Sequence, residues 1–185
     1  EVEAILHQLL TNEPVVLPAA GEYKDYVKWL LSRDKAVSLQ YWQQLLNDSE
    51  PTTPLHLQHQ SNQRVASHEQ NIHRHQINTE LSQQIQHFCR QHGITLNVFM
   101  LSVFGYMNNL AANQTQSIIG AVVSGRPAEI EGIERTVGFF SSALPAYIKT
   151  QPELTFINWL KQQQQQLVDG WEHGFVSLEQ IKTSI

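Results

Sequence analysis

Ser117-Ile118-Ile119-Gly120-Ala121-Val122-Val123 is a continuous apolar run rich in β-branched residues, and it stops at Ser124-Gly125-Arg126-Pro127. That pattern suits a central strand buried on both faces and followed by a turn. Residues 124–136 read as a loop. A second strand is expected over residues 143–149. Pro145 has no N–H, so it requires a sheet edge or a position outside the ladder.

Helices surround this pair. Leu96, Phe99, Met100, Val103 and Met107 face one way behind a Thr95 cap. Leu81, Ile85, Phe88 and Cys89 form the stripe of an earlier helix, with Asn78 or Thr79 to cap it and Gly93 to close it. Upstream, the spacing predicts a helix over residues 2–11, stopped by Asn12-Glu13-Pro14. A second runs from near Tyr23 to about Ser32. A third carries Val37, Tyr41, Trp42, Leu45 and Leu46. Residues 14–21 are a Pro- and Ala-rich connection, residues 47–63 a polar loop, and residues 65–78 an extended segment. A last helix over 153–169 is anchored by Phe156, Ile157, Leu160, Leu167 and Val168, with Gln162 to Gln166 as a solvated face. Strands interleaved with long helices predict an α/β (α+β) two-layer sandwich, a mixed sheet flanked by helices. That class supports many chemistries, so function must come from particular residues.

The chain has 185 residues, 41% hydrophobic and 16% charged, which suits one globular domain. Its net charge of -5, with no cluster of Lys and Arg, argues against a phosphate-binding surface and so against nucleic acid. No apolar run approaches the roughly 18 residues of a membrane span. The single cysteine, Cys89, rules out an internal disulfide, reads as core, and fits a reducing cytoplasm. The acidic start without a basic region is not a signal peptide, and the missing initiator Met is read as a piece cut from something longer. His68, His73 and His75 invite a metal reading, with His73 and His75 on one strand face. No further ligand stands at the right spacing, so no metal site is expected.

Three ordered segments resemble the condensation domains of non-ribosomal peptide synthetases. Tyr23-Lys24-Asp25-Tyr26-Val27-Lys28-Trp29 resembles the family's fourth core motif and agrees at Tyr23, Asp25, Tyr26 and Trp29; Tyr41-Trp42 is similar to the Tyr-Trp that follows it. Ser124-Gly125-Arg126-Pro127, then Val137-Gly138-Phe139-Phe140-Ser141-Ser142-Ala143-Leu144-Pro145, resembles the Ser-Gly-Arg-Pro turn and the fifth motif. Ser141, Ser142 and Ala143 stand where that motif has Val, Asn and Thr. Residues 172–181, with His173 and Glu179, are similar to the sixth motif in loose form.

The resemblance implies one lobe of a chloramphenicol acetyltransferase-like fold. Residues 1–185 would be a partial C-terminal lobe, without the N-terminal lobe. A tunnel between the lobes would admit the phosphopantetheine arms of two carrier domains, and an acceptor amine would attack a donor thioester. The family's His-His-x-x-x-Asp-Gly motif lies in the other lobe, and no two of the nine histidines here are adjacent. The chain alone is therefore expected to be inactive and to bind no cofactor itself.

Ser124, Gly125, Arg126, Gly138, Phe140, Ser141 and Ser142 are expected to line the tunnel. Gly138 would allow close approach, Phe139 and Phe140 would anchor the turn in the core, and the serines would offer hydroxyls. Arg126 reads either as an ion-pair residue or as a ligand contact. Tyr23, Asp25, Tyr26 and Trp29 read as packing and capping residues, and His173 as a surface residue rather than a catalyst. Two alternatives stay open: a degenerate module that recruits carrier domains or a tailoring enzyme, and a lobe of an epimerisation domain. A third is a stand-alone acyltransferase. The uncovered apolar face of a lone lobe would favour self-association.

Overall fold

The computed structural model describes residues 2–12, 14, 21–50 and 74–185. Most of the connection 14–21, residues 51–63 of the polar loop, residues 65–73 of the extended segment, and His56, His59, His68 and His73 lie outside that set. The chain divides into two compact units. One holds residues 1–34 and 124–142; the other holds residues 35–123 and 143–185.

The first unit contains α1 (Val2–Leu10) and α2 (Tyr23–Ser32), with the long loop that follows the first strand. Helix α1 stops where Asn12 turns left-handed at φ 56°. Glu22 precedes α2 without a side-chain cap, and the Asp25 carboxylate pairs with Lys28 at 3.2 Å instead of capping the helix. The loop contains one short 3₁₀ turn, Ile133–Arg135, entered through Gly132 at φ 74°.

The second unit holds α3 (Lys35–Leu46), α4 (Thr79–His92), α5 (Leu96–Ala112), α6 (Phe156–Glu172) and α7 (Leu178–Ser184). It also holds most of β1 (Gln116–Ser124) and β2 (Ser141–Lys149). The strands pair only with each other among the described residues. They are antiparallel: Gly125 N–H donates to Phe140 O at 2.7 Å at one end, and Thr150 N–H to Thr115 O at 2.7 Å at the other. The α/β class stands, with an antiparallel rather than a mixed sheet. Residues 74–78 of the expected extended segment join no strand.

The doubly buried strand is β2, not β1. Leu144 through Ile148 are all buried, Pro145 included, whereas Gly120 and Val122 of β1 face outward, Val122 at 76% exposure. Two apolar clusters explain this. Ala146 and Ile148 join Val98 of α5 and Trp159, Leu160 and Leu167 of α6. Leu144 and Tyr147 join Trp42 and Leu46 of α3, Val176, and Ile181 of α7.

Helix α5 buries its small side chains rather than most of the apolar face of Leu96, Met100 and Met107. Its buried residues are Val98, Ser102, Gly105 and Asn109, while Leu96, Met100, Phe104, Met107 and Leu110 are exposed. Close approach requires the small face. A Cβ on Gly105 would lie 2.5 Å from Ile148 Cγ1, and Asn109 Nδ2 donates to Ile148 O at 3.2 Å and Thr150 Oγ1 at 3.1 Å.

The caps of α4 and α5 are as expected. Asn78 Oδ1 accepts from Leu81 N at 2.8 Å, Gly93 closes α4 at φ 66°, and Thr95 Oγ1 accepts from Val98 N at 3.2 Å. Helix α6 starts and ends three residues later than expected, because Thr155 is its cap. Nor is its glutamine run simply solvated. Gln163 is buried, Gln164 receives Thr95 N–H at 2.9 Å and donates to Gly93 O at 2.9 Å, and Gln166 donates to Tyr147 O at 2.7 Å. Helix α7 has no counterpart among the expected elements, although Ser177 and Gln180 form a capping box, a readable start signal.

Candidate functional site: the Gly-Arg turn and the Val137–Ser142 loop

The motif residues gather in the first unit. Phe140 is its core, 4% exposed. Tyr26 meets that ring edge-on at 4.8 Å and Tyr23 at 5.3 Å. The Arg126 guanidinium covers it at 4.0 Å. Tyr26 stacks in turn on Trp29 at 6.1 Å. Arg33 lies over Trp29 at 4.3 Å and bonds Glu129 at 2.6 Å. In this unit the fourth-motif aromatics Tyr23 and Tyr26 pack against Phe140 of the fifth motif.

Backbone contacts fix the loop. Tyr23 OH donates to Phe139 O at 2.9 Å. Gly138 lies against the Tyr23 ring so closely that a Cβ would run into it. A Cβ on Gly125 would sit 2.7 Å from Phe140 O, so the bond between Gly125 N–H and that oxygen needs a glycine. Burial raises the Tyr26 phenol above its ordinary range, with Tyr23 adding to the shift.

Two expectations change here. Phe139 does not anchor the turn; it is 78% exposed beside Val137 at 91%, so the loop presents two apolar side chains to solvent on either side of Gly138. Arg126 is no ion-pair residue: its Nη1 donates to Ile133 O and to Thr136 O, the latter at 3.0 Å, and no carboxylate pairs with it among the described residues. Residue-type reasoning could not find these partners, because both are main-chain carbonyls. Ser124 and Ser141 are exposed and Ser142 is half-buried, at the ends of the two strands.

His173 belongs to the second unit. It is half-buried rather than on the surface, stacked on Tyr41 at 4.4 Å, with Nδ1 3.2 Å from Ser38 Oγ and its carbonyl accepting from Trp42 Nε1 at 3.1 Å. Ser38 is fully buried, so this pair offers no nucleophile to a substrate. A cavity nearby, lined by Trp42, Leu45, Leu144, Pro145 and Trp171, has about 10 Å³, room for one water at most. Among the described residues no group of three or more His, Cys, Asp or Glu is placed to hold a metal.

The aromatic cluster around Phe140 thus orders the Gly125-Arg126 turn and the Gly138-Phe139-Phe140 loop. The chain aligns with the first condensation domain of the CDA synthetase at TM-score 0.71 and 15% identity, over 95% of this chain and 39% of that one. The condensation domain family model matches residues 1–185, and the chain belongs to that family. Gramicidin S synthase 2 of Brevibacillus brevis is 32% identical over 176 residues, 94% of this chain and 4% of that protein. Tyrocidine synthase 3 of Brevibacillus parabrevis is 29% identical over 189 aligned positions, 97% of this chain and 3% of the relative. The chain thus spans a small part of the curated relatives it matches.

Proposed function

We propose that residues 1–185 are the C-terminal lobe of a non-ribosomal peptide synthetase condensation domain and form one wall of its acyl-transfer tunnel. The observation that carries this reading is the convergence of the Gly125-Arg126 turn, the Val137–Ser142 loop and the Tyr23/Tyr26 aromatics around Phe140. Against this wall the acceptor amine attacks the donor thioester carbonyl. A carbon–nitrogen bond forms, the carbon–sulfur bond breaks, and the donor arm leaves as a thiol. The group that positions or deprotonates the amine belongs to the His-His-x-x-x-Asp-Gly motif of the other lobe. A positioned base is worth about 10²–10⁴-fold, so the chain by itself is inactive. Ser141 and Ser142 offer hydroxyls to the arms or the nascent amide, Ser142 with a shorter reach than the family's Asn. The partners are the N-terminal lobe and two cytoplasmic carrier domains with their phosphopantetheine arms.

The test is dipeptidyl transfer between two loaded carrier domains, by this chain and by a form extended upstream by one lobe. Transfer by the extended form alone is expected. Transfer by residues 1–185 alone would overturn the reading. A second reading, a module that recruits carrier domains without catalysis, is favoured by Ser141-Ser142-Ala143 in place of Val-Asn-Thr. Carrier binding without transfer by the extended form would select it. The Ser124-Gly125-Arg126-Pro127 turn favours condensation over epimerisation.

A further inference from the structure

We propose that Arg126 is a positioning residue for acyl transfer, one that acts through the loop it holds and touches no substrate. The proposal rests on the tunnel-wall reading of that loop. The 3₁₀ turn Ile133–Arg135 ends just before Val137, and its first carbonyl, Ile133 O, accepts the Thr136 N–H at 3.2 Å. Arg126 Nη1 bridges two oxygens at that point, Ile133 O and Thr136 O. The same guanidinium lies over the Phe140 ring at 4.0 Å, so one side chain fixes both ends of the segment 136–140. Gly125 N–H, next in sequence, bonds Phe140 O.

Between those two fixed ends, Val137 and Phe139 are turned out to solvent and have little packing of their own. Their positions depend on the main chain, and the main chain is held by Arg126 on one side and by the Tyr23 hydroxyl and ring on the other. Arginine suits this task because its planar fork can donate and stack at once. A lysine ammonium matches the charge but is a compact point that cannot lie on a ring while bridging two carbonyls. Lysine should therefore fail here as badly as glutamine, whereas a residue that only supplied charge to a substrate would be rescued by lysine. A loop misplaced by about 1 Å costs up to about 10²-fold in rate.

The experiment uses the extended, two-lobed form with loaded carrier domains, and compares Arg126→Lys, Arg126→Gln and Tyr23→Phe. Both Arg126 variants are expected to lose roughly 10- to 100-fold in kcat with KM for both carriers unchanged. Tyr23→Phe, which keeps the ring and loses one hydroxyl, should lose less in the same direction. The double variant Arg126→Gln/Tyr23→Phe should fall short of the product of the single losses, because both side chains hold one loop. Near-full activity in Arg126→Lys, or a rise in KM alone, would overturn the proposal in favour of a substrate contact. A strictly multiplicative double variant would overturn it too. If the wild-type extended form transfers nothing, the tunnel-wall reading is what has failed. The holding role is then judged by hydrogen exchange on residues 1–185, where both Arg126 variants should speed exchange of the Gly138–Ser142 amides. Unchanged exchange there would end it.

Discussion

Tyr41 shows how much of a residue's behaviour comes from its neighbours. Its phenol donates to Gln166 O at 3.2 Å, and its ring carries His173. Burial, with Asp169 adding to it, pushes its pKa from 10.0 up to about 12. The folded chain keeps this proton where the unfolded chain has already released it. Stability from Tyr41 is therefore intact below pH 10 and is lost as the pH rises from about 10 towards 12. Tyr41→Phe should flatten that loss, seen as a smaller change in the urea midpoint between about pH 9 and about pH 11.5 than in the wild type. Burial also raises Tyr26 and Tyr147, so a residual slope remains. An unchanged slope would mean that the phenol titrates normally. At this scale the sequence separates packing residues from exposed ones only where type and environment agree. Tyr26 and Phe140 pack as their rings suggest, but Phe139, identical in type to its neighbour, points the other way. No rule of residue type distinguishes two adjacent phenylalanines in a loop.

At the scale of elements, capping chemistry is legible and facing is not. Asn78, Gly93 and Thr95 set their helix ends by local hydrogen bonds that need no tertiary context. Facing fails for α5 because periodicity assigns its apolar residues to the core, while contact with β2 selects small ones around Gly105. The apolar run of β1 misleads for a related reason: burial belongs to β2, which has clusters on it from both helix groups. The glutamine run of α6 gives a sharp contrast. Gln164 spans the α4–α5 turn with two hydrogen bonds, so Gln164→Ala should cost about 1–3 kcal/mol in denaturant unfolding. The exposed Gln162→Ala should stay within about 0.5 kcal/mol. Equal effects would make the run a solvated face after all.

For the whole molecule, the motif order carries the family, and the strands interleaved with long helices carry the α/β class. The division into two units is not legible, since their residues alternate along the chain and composition does not change at the crossings. No single helix among the described residues is long and apolar enough to cross a membrane; only α4 and α5 together pass by composition, and they are bent by 109°. Helix α5 has no charged residue in its 17, and Leu96, Met100, Phe104, Met107 and Leu110 on it are exposed. Exposed apolar stripes of this kind drive association. Residues 1–185 by themselves are expected to sediment as oligomers, and Met100→Glu/Phe104→Glu to return them to monomers. Unaltered sedimentation in that variant would place the contact elsewhere.

Cys89 is the single thiol in the chain, 4% exposed on α4, and burial raises its pKa above the ordinary range. Both conditions suppress its reaction while the helix is seated, since a reagent needs access and a thiolate. Labelling therefore waits for α4 to lift. When closing outpaces reaction, the labelling rate reads the free energy of that opening. A residue with no part in the proposed chemistry thus serves as a clock for the local breathing of α4, one tick per modified molecule.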